Sequence, residues 1–390
     1  MQNAVTPAAL KRLLNYEDFR RVAALRLPRG LFEFIDRGTE DEVALLHNRR
    51  SLTDIKLVPR VLRDVSGVKT QSALFGRACE APILVAPTGA AGLACHKGEL
   101  ALAKAAAHEG VPFVMSTASL TAMEEIAMQA GGDLWLQLYV WQDRKSTYEL
   151  IERAWRNKFE KLVVTVDTAV SPNREYNVRN GFTIPMRLTA RNVWDVAMRP
   201  RWATGVMLRY LLTNGLPKHA NYPEHLRKSL VSKPAAPSPR ASAKTFCWDE
   251  VKELRDRWQG KLLLKGVLHP EDAELARATG IDGLVISNHG GRNLDSCVSP
   301  VAQLPVIRRA VGQEMLLLAD SGMQRGSDAL KAIALGANGV LFGRFPLWGA
   351  AVAGEAGARH ALRIIKHEML RTLSLSGITS IDDVTDEVLA

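Results

Sequence analysis

The residues best suited to chemistry lie in one short segment, Ser287–Asp295, which reads SNHGGRNLD. His289 carries an imidazole, whose ordinary pKa of about 6.5 suits it to removing a proton at neutral pH. Arg292 follows three residues later and can hold a carboxylate through two parallel hydrogen bonds. An isolated histidine is more often a core residue, but the neighbouring glycines and arginine favour a catalytic base here.

Two charged residues beyond a separate apolar run are candidates for the same site. Asp167 is expected to orient His289 and to stabilise its protonated form, as a carboxylate does in other histidine-based sites. Arg174 lies in the stretch SPNREYN, where it is either a second anion-binding group or an ordinary surface charge. The pattern predicts a base with a carboxylate behind it and positive charge in front.

Two glycine-rich stretches near the end of the chain, DSGMQRG and LFGRF, predict a phosphate site. Glycine lets backbone N–H groups approach a phosphate, and Arg325 and Arg344 add positive charge. A tight turn is the alternative explanation for any one of these glycines. The two stretches together favour phosphate, because barrel enzymes often bind it after their last two strands.

Eight short apolar runs must position these residues. Their near-continuous hydrophobicity is typical of parallel strands buried on both faces. The runs are Ile83–Ala86, Pro112–Met115, Leu134–Tyr139, Leu162–Val166, Leu262–Lys265, Gly283–Ile286, Met315–Ala319 and Gly339–Phe342. Helical patterns alternate with them, and Gly110, Gly280 and Gly336 are placed to end three helices. The alternation predicts a single α/β domain, a (β/α)₈ TIM barrel.

A doubly wound open sheet is the rival fold, and it is disfavoured because no GxGxxG follows an early strand. In a barrel, the carboxyl ends of all strands meet at one mouth. Each predicted strand here ends in polar residues or glycine, which places the active site at that mouth. These ends are Pro87-Thr88-Gly89, Ser116-Thr117, Gln137 with Tyr139, Thr165 with Asp167, Lys265-Gly266, Ser287-Asn288-His289, Asp320-Ser321-Gly322 and Gly343-Arg344.

The positive charge of the chain is concentrated in one segment after the fourth strand. The 390 residues carry 51 Lys and Arg against 41 Asp and Glu, a net charge of +10. Residues Arg191–Thr245 hold ten of the former and two of the latter, a net charge of +8. The remaining chain is nearly neutral, which argues against nucleic-acid binding.

This basic insertion should lie on the active-site face. Apolar residues recur in it with helical spacing between basic ones, at Trp202, Val206, Met207, Tyr210 and Leu211. Such a segment either packs on its own domain or lies on an anionic membrane. The stretch 232–244, SKPAAPSPRASAK, predicts a flexible or disordered connector.

Bulk properties indicate a globular protein of the cytoplasm, either free there or peripheral on the inner membrane. Apolar residues make up 47% of the chain, yet no apolar run is long enough to span a membrane and no secretory signal is visible. The four cysteines form no CxxC pair, so we expect reduced thiols and no metal site. We predict a helical extension over 1–75, a barrel over 76–390 and a basic, partly disordered insertion over 191–245.

Together these motifs resemble the FMN-dependent L-2-hydroxy acid dehydrogenase and oxidase family, which includes mandelate and lactate dehydrogenases and glycolate oxidases. The resemblance runs from LPRGLFEF to SLSGITSI. It rests on the motifs APTG, LQLYV, TVD followed by RE, LLKG, SNHGGR, DSG with RG, and GR. The stretches GDLWLQLYV, PRW and LDSCVSP are similar to those of the membrane-associated dehydrogenases, mandelate dehydrogenase especially.

The resemblance implies FMN across the barrel mouth and an L-2-hydroxy acid as substrate. It implies that His289 is the base, that Arg174 and Arg292 hold the substrate carboxylate, and that Tyr139 contacts a substrate oxygen. Asp167 would orient the base, and Lys265 would lie near the N1–C2=O edge of the flavin. The cofactor-binding residues would be Pro87, Thr88, Gly89, Ser116, Gln137, Thr165, Lys265, Ser287, Asp320, Ser321, Gly322, Arg325, Gly343 and Arg344.

Departures from the family pattern leave the substrate open. Phe34 stands where the family has a tyrosine that contacts the substrate carboxylate, a loss of about 1.5–3 kcal/mol for one hydrogen bond to a charged group. Asn177 stands where the family typically has aspartate. The substrate is then an aromatic or otherwise bulky, mandelate-like acid, or a non-standard one such as a peptide or biosynthetic intermediate.

The resemblance also implies partners. Gly89 is similar to the dehydrogenase branch, where oxidases carry alanine, so a membrane quinone is favoured over O₂ as electron acceptor. The family implies a homo-oligomer, often a tetramer. A rival from another class is a binding protein that uses the insertion to hold anionic lipid or nucleic acid, but this leaves the eight polar strand ends unexplained.

Overall fold

A computed structural model describes residues 6–182, 189–227 and 245–390, and within them eight parallel strands close into a barrel. An antiparallel pair, β1 (Ser72–Leu74) and β2 (Arg77–Cys79), precedes the barrel. The barrel strands are β3 (Ile83–Val85), β4 (Phe113–Ser116), β5 (Leu134–Leu138), β6 (Lys161–Thr165), β7 (Lys261–Val267), β8 (Gly283–Ile286), β9 (Leu316–Ala319) and β10 (Gly339–Phe342). They pair in chain order and β10 closes onto β3, which confirms the predicted (β/α)₈ barrel.

Helices precede the barrel, alternate with its strands and fill the insertion. In chain order they are α1 (Pro7–Leu10), α2 (Tyr16–Arg26), α3 (Arg29–Asp36), α4 (Val43–Asp54), α5 (Gly98–His108), α6 (Met123–Ala130), α7 (Arg144–Arg156), α8 (Glu175–Asn180), α9 (Ala190–Ala197), α10 (Pro200–Trp202), α11 (Arg209–Thr213), α12 (Trp248–Arg257), α13 (Pro270–Ala278), α14 (Pro300–Val311), α15 (Gly326–Ala334) and α16 (Arg344–Ser376). A wider π-helical stretch, Ala203–Leu208, joins α10 to α11. Within the described ranges, no helix has the length and apolar composition needed to span a membrane.

Three helix ends follow the sequence prediction. Gly110, Gly280 and Gly336 stand two residues beyond α5, α13 and α15, with φ of +66°, +76° and +107°. This left-handed backbone lets the chain leave the helix, and it favours glycine because there is no Cβ to clash. The helix α16 is itself interrupted at Ala353 and Gly354, where the backbone leaves helical geometry and the axis can bend.

The interior of the barrel is divided into an apolar floor and a polar layer above it. The floor is one buried cluster made of Leu84, Val114, Trp135, Val163, Leu263, Val285, Leu318 and Leu341. Side chains two residues apart on a strand point the same way, so the next inward residue lies one layer nearer the mouth. That residue is Ser116 above Val114, and the rest of the set is Gln137, Thr165, Lys265, Ser287 and Asp320.

The β1–β2 pair closes the barrel at the end opposite the mouth. Its turn uses Phe75 and Gly76, with φ of +50° and +75°, as two-residue hairpin turns require. Leu74 and Cys79 join the apolar floor, and the ring of Phe75 lies 5.9 Å from that of Trp135. The floor is therefore sealed from below by apolar side chains.

The insertion packs part of its helical face onto the barrel. Trp202, Val206 and Tyr210 are 4%, 5% and 3% exposed. These three side chains therefore pack on the protein's own domain. Leu211, which was predicted on the same face, is 51% exposed. The predicted connector over 232–244 lies outside the described residues.

Removing a floor side chain tests this core. Leu263→Ala should lower the free energy of unfolding by about 2–5 kcal/mol, because Leu263 is fully buried and its neighbours cannot fill the cavity. Leu275→Ala, on the exposed side of α13, is the matched control and should cost less than about 0.5 kcal/mol. Urea unfolding of the wild type and both variants measures these changes in the free energy of unfolding. Equal midpoints would show that the floor is not a stabilising core.

Candidate active site

A row of hydrogen bonds ties three strand ends together in the polar layer. Ser116 Oγ donates to Gln137 Oε1 at 3.1 Å, and Gln137 Nε2 donates to Thr165 Oγ1 at 2.8 Å. All three side chains are buried. Buried polar groups need such partners, and a satisfied row fixes the position of each group. One side of the mouth is therefore lined by rigid hydroxyl and amide groups.

A buried ammonium lies opposite this row. Lys265 Nζ donates to Ser287 Oγ at 2.6 Å and lies 2.8 Å from Asp320 Oδ2. Burial lowers the pKa of Lys265, but the charges of Asp320 and Asp167 and the hydrogen bond to Asp320 outweigh it, so the pKa is raised. The group is charged at neutral pH and is a fixed positive charge at the bottom of the mouth.

Asp320 continues this network towards the loop that carries the histidine. Its Oδ1 accepts from Ser321 Oγ at 2.8 Å, and Ser321 Oγ accepts from the backbone N–H of Gly290 at 3.0 Å. Ser287 Oγ accepts from the backbone N–H of His289 at 3.0 Å. The ammonium and the loop are therefore held by the same side chains.

His289 and Asp167 form the pair that the sequence predicted. His289 Nδ1 lies 3.1 Å and 3.2 Å from the two carboxylate oxygens of Asp167. Burial raises the pKa of Asp167, but the charge and hydrogen bond of His289 outweigh it, so the pKa is lowered. The carboxylate then accepts from Nδ1–H, which leaves the lone pair on Nε2.

The imidazole is held in its neutral form. Burial lowers the pKa of His289 most, Asp167 raises it, and the positive charges of Lys265 and Arg292 lower it again. The net direction is downward, so His289 is unprotonated at neutral pH and has an Nε2 able to take up a proton. This is the protonation state that a general base requires.

The loop around His289 is built from left-handed backbone. His289, Gly290 and Gly291 have φ of +60°, +70° and +71°. A Cβ on Gly291 would lie 2.5 Å from the backbone nitrogen of Leu45, so this position has room for glycine alone. The loop is thereby pressed against α4, and the histidine is aimed by the backbone as well as by its partner.

Two arginines, Arg292 and Arg344, lie beside the loop that carries the histidine. Arg292 Nη1 donates to the carbonyl of Arg37 at 2.8 Å, and Arg344 Nε donates to that of Ile35 at 2.9 Å. Among the described residues neither arginine forms a salt bridge. Burial, followed by the charges of Arg174 and Arg344, lowers the pKa of Arg292 well below its ordinary value. Guanidinium stays protonated in proteins, so this cluster favours a bound anion.

Phe34 lies at the centre of this arginine cluster. The guanidinium carbons of Arg174 and Arg292 are each 5.2 Å from the centre of its ring. The ring of Phe182 lies 5.5 Å away on the apolar side. Cation–π contact holds the two arginines near the ring even though it carries no hydroxyl. The predicted substrate-binding residues Arg174, Arg292 and Phe34 are therefore brought together.

Most of the other predicted residues also lie at the mouth. Tyr139 is close enough to Lys265 and Arg292 to raise the pKa of both, and its backbone N–H donates to Thr117 Oγ1 at 3.1 Å. The ends of β3 and β10 adjoin, since Ala86 N–H donates to the carbonyl of Phe342 at 3.0 Å. The residues that follow these two ends are Pro87, Thr88, Gly89, Gly343 and Arg344.

Arg325 does not lie with Arg344, contrary to the sequence prediction. Its guanidinium forms an ion pair with Glu368 of α16, and its side chain is 47% exposed. The carboxylate of Glu368 draws it to the outside of the barrel. Arg344 alone of the two predicted phosphate arginines is at the mouth.

Positioning residues from the N-terminal extension escaped the sequence analysis. Asn48 of α4 and Asn288 exchange amide hydrogen bonds of 2.8 Å and 2.7 Å. Asp295 accepts from the backbone N–H groups of Asp41 and Ala44, both at 3.1 Å. These contacts join segments more than 200 residues apart, and no local pattern signals them.

The effect of Asp167 on the histidine can be tested by titration. Asp167→Asn should lower the pKa of His289 further, because it removes the raising charge and leaves burial, Lys265 and Arg292 in place. Histidine NMR signals followed against pH, with His289→Gln to assign the resonance, should place the wild-type pKa below about 6.5 and that of the variant lower still. A higher pKa in Asp167→Asn would contradict the assigned interaction.

The chain is similar to known proteins over nearly its whole length. The model of the FMN-dependent dehydrogenase family matches residues 23–390. The chain is 39% identical to (S)-mandelate dehydrogenase of Pseudomonas putida, over 97% of this chain and 94% of that protein. It is 38% identical to L-lactate dehydrogenase of Caulobacter sp. (strain K31), over 96% and 97%. The crystal structure of the monotopic membrane protein (S)-mandelate dehydrogenase superposes with a TM-score of 0.89, 38% identity and coverage of 97% and 99%.

Proposed function

Because the chain belongs to the FMN-dependent dehydrogenase family, we propose that it oxidises an L-2-hydroxy acid to the 2-oxo acid with His289 as the base. FMN is its cofactor and its chemistry is that of a 2-hydroxy acid oxidoreductase, so a binding protein without catalysis is excluded. One observation carries the specific proposal. The neutral His289, backed by Asp167, adjoins Arg292 and Arg344, which form no salt bridge among the described residues.

The residues at the mouth fit FMN. Ser116, Gln137, Thr165 and Ser287 offer hydrogen-bonding groups for a polar ring, and Lys265 adds a positive charge. Gly343 leaves open space in front of the start of α16, since a Cβ there would meet only Ala86, at 3.7 Å. A helix start with open N–H groups suits a phosphate.

Further groups would hold the cofactor at the same end. Arg344, Gly322, Ser321 and Asp320 would hold the phosphate near the start of α16, and Pro87–Gly89, which follow the adjoining strand, would also contact the cofactor. Bound FMN supplies the acceptor for two electrons from the substrate. Lys265 would favour negative charge on an acceptor ring, a role of charge placement.

The substrate would be held by its carboxylate and deprotonated by the histidine. Arg292 and Arg174 would bind the carboxylate, and Tyr139 would hydrogen-bond another substrate oxygen. Nε2 of His289 would accept the proton, and Asp167 would stabilise the imidazolium through Nδ1–H. General-base catalysis of this kind contributes about 10²–10⁴-fold to a rate.

The aromatic wall beside the arginines favours an aromatic or otherwise bulky acid. Phe34 and Phe182 lie 5.5 Å apart and present apolar surface next to the carboxylate-binding groups. A small acid such as lactate would leave part of this surface without a partner. This preference accords with the similarity to mandelate dehydrogenase.

A second candidate keeps the flavin chemistry but changes the substrate to a peptide or biosynthetic intermediate. Phe34 motivates it, because a phenyl ring cannot donate the hydrogen bond that the family's tyrosine gives to a carboxylate. Restoring that hydroxyl in Phe34→Tyr separates the two candidates. If turnover of simple hydroxy acids does not improve, the missing hydroxyl is not what limits it.

Anaerobic flavin reduction tests the reaction. The purified yellow protein should be bleached by aromatic (S)-2-hydroxy acids faster than by lactate. His289→Gln should slow bleaching by about 10²–10⁴-fold while FMN absorbance is retained, because only the base is lost. His47→Gln, an exposed histidine on α4, is the matched control and should react like the wild type. A holoenzyme that no acid of the panel bleaches would exclude this substrate class.

We further propose that the insertion attaches the enzyme to an anionic membrane and that a quinone-type acceptor there, or O₂, reoxidises the flavin. Val193 and Trp194 of α9 and Met198, the residue that follows it, are 54%, 68% and 55% exposed, and Leu211 and Leu212 of α11 are 51% and 77% exposed. Exposed arginines alternate with them, at Arg191, Arg201 and Arg209. Apolar side chains flanked by cations suit a bilayer surface.

Vesicle binding checks this proposal. The double variant Trp194→Ser and Leu212→Ser should cosediment less with vesicles that contain anionic lipid, because it removes two exposed apolar anchors. Point changes are preferable to deleting the segment, since Trp202 and Tyr210 are buried against the barrel. Leu275→Ser, on a different face, is the control. Unchanged binding of the double variant to the vesicles would contradict the proposed membrane-binding face.

A further inference from the structure

Two loops at the mouth are tied to each other by hydrogen bonds. The β3–α5 loop covers residues 86–97 and the β4–α6 loop covers residues 117–122. Ala90 N–H donates to the carbonyl of Ala118 at 2.9 Å. The buried carboxylate of Glu99 accepts from the N–H groups of Gly92 and Leu120, both at 3.0 Å. The loops are thus held as one unit directly beyond strand ends that carry proposed FMN contacts.

Two buried aromatic residues of the insertion form hydrogen bonds with the first of these loops. Trp202 Nε1 donates to the carbonyl of Leu93 at 2.7 Å. Tyr210 Oη accepts from the backbone N–H of Lys97 at 3.1 Å. Gly92 leaves room for that hydroxyl, because a Cβ there would lie 2.4 Å from Tyr210 Oη.

The segment after α11 forms hydrogen bonds with the second loop. Ala220 N–H donates to the carbonyl of Ser119 at 3.0 Å. Asn221, 2% exposed, donates through Nδ2 to the carbonyl of Thr121 at 3.2 Å and accepts through Oδ1 from Met123 N–H at 3.0 Å. A single insertion therefore bridges both loops with buried hydrogen bonds, in addition to the bonds between the loops themselves.

We propose that the insertion is a clamp that positions the flavin, with Tyr210 and Trp202 as positioning residues. This rests on the proposed contacts of FMN with Pro87–Gly89 and Ser116. Gly89 immediately precedes the inter-loop bond of Ala90, and Ser116 Oγ accepts from the backbone N–H of Ala118 at 3.2 Å. A shift of either loop therefore moves groups that face the flavin. The insertion then has two separate faces, one for the barrel and one for its surroundings.

FMN release from the holoenzyme tests the clamp. Tyr210→Phe removes only the hydroxyl, and Trp202→Phe removes the indole donor, so each loosens the β3–α5 loop. Each should speed FMN dissociation by about fivefold or more, which is the change in rate expected when about one hydrogen bond is lost. Leu212→Ala, in the same helix but 77% exposed, is the control and should release FMN at the wild-type rate. Flavin fluorescence after dilution reports the rate, without vesicles or substrate.

Two further measurements separate positioning from general stability. The visible circular dichroism of bound flavin should change in Tyr210→Phe but not in Leu212→Ala. Gly92→Ala should also speed release, because its new Cβ displaces the Tyr210 hydroxyl, and the effect should be less than additive with Tyr210→Phe. Asn221→Ala probes the second loop if a first-loop variant fails to fold.

Wild-type release rates in Tyr210→Phe and Trp202→Phe would overturn the clamp, even if urea midpoints fell. Fully additive effects of Gly92→Ala and Tyr210→Phe would overturn it as well. These outcomes do not depend on hydroxy acid turnover. A holoenzyme that no hydroxy acid bleaches would count against the proposed substrate and leave the clamp test intact.

Discussion

The two-residue repeat of a strand is the constraint on which this molecule depends. Six of the eight barrel strands bury an apolar side chain in the floor and, one inward position later, present a polar or charged group at the mouth. Leu263 and Lys265 illustrate this on one strand. Because Leu263 is buried in the floor, Lys265, two residues later, is buried directly above it. A charge placed so deeply needs partners, and Asp320 and Ser287 supply them. The site is rigid because it is built on the core.

Electrostatics divides the mouth into two parts. Around Lys265 the ammonium is matched by carboxylates, because Asp320 and Asp167 both face it and Asp167 also pairs with His289. Around Arg292 the charges are unmatched, and the neighbouring Arg344 adds to the excess. The matched part holds His289 in its neutral form, while the unmatched part would attract an anion. In the proposed reaction, an acid bound to the second part would have its reacting atoms beside the first.

The strand positions and the polar strand ends could be predicted from sequence, because each rests on local periodicity, while the pairing of His289 with Asp167 was expected from the chemistry of a histidine base and from the family resemblance. Contacts between distant segments could not, as Asn48 with Asn288 illustrates. Nor does a glycine-arginine motif say which way the arginine turns, and Glu368 decides this for Arg325. The helical stripe of the insertion was visible, but whether it faced barrel or solvent depended on Tyr210 finding a place beside Gly92.

The hairpin that seals the barrel floor has a kinetic consequence. Leu74 and Phe75 pack against the lower end of the barrel, so among the described residues the site opens towards the mouth. In the proposed reaction, the acid, its oxidised product and the electron acceptor would all use the mouth as their entrance. In the proposed reaction, the 2-oxo acid would have to leave the mouth before an electron acceptor could enter it, which is the order of a ping-pong scheme.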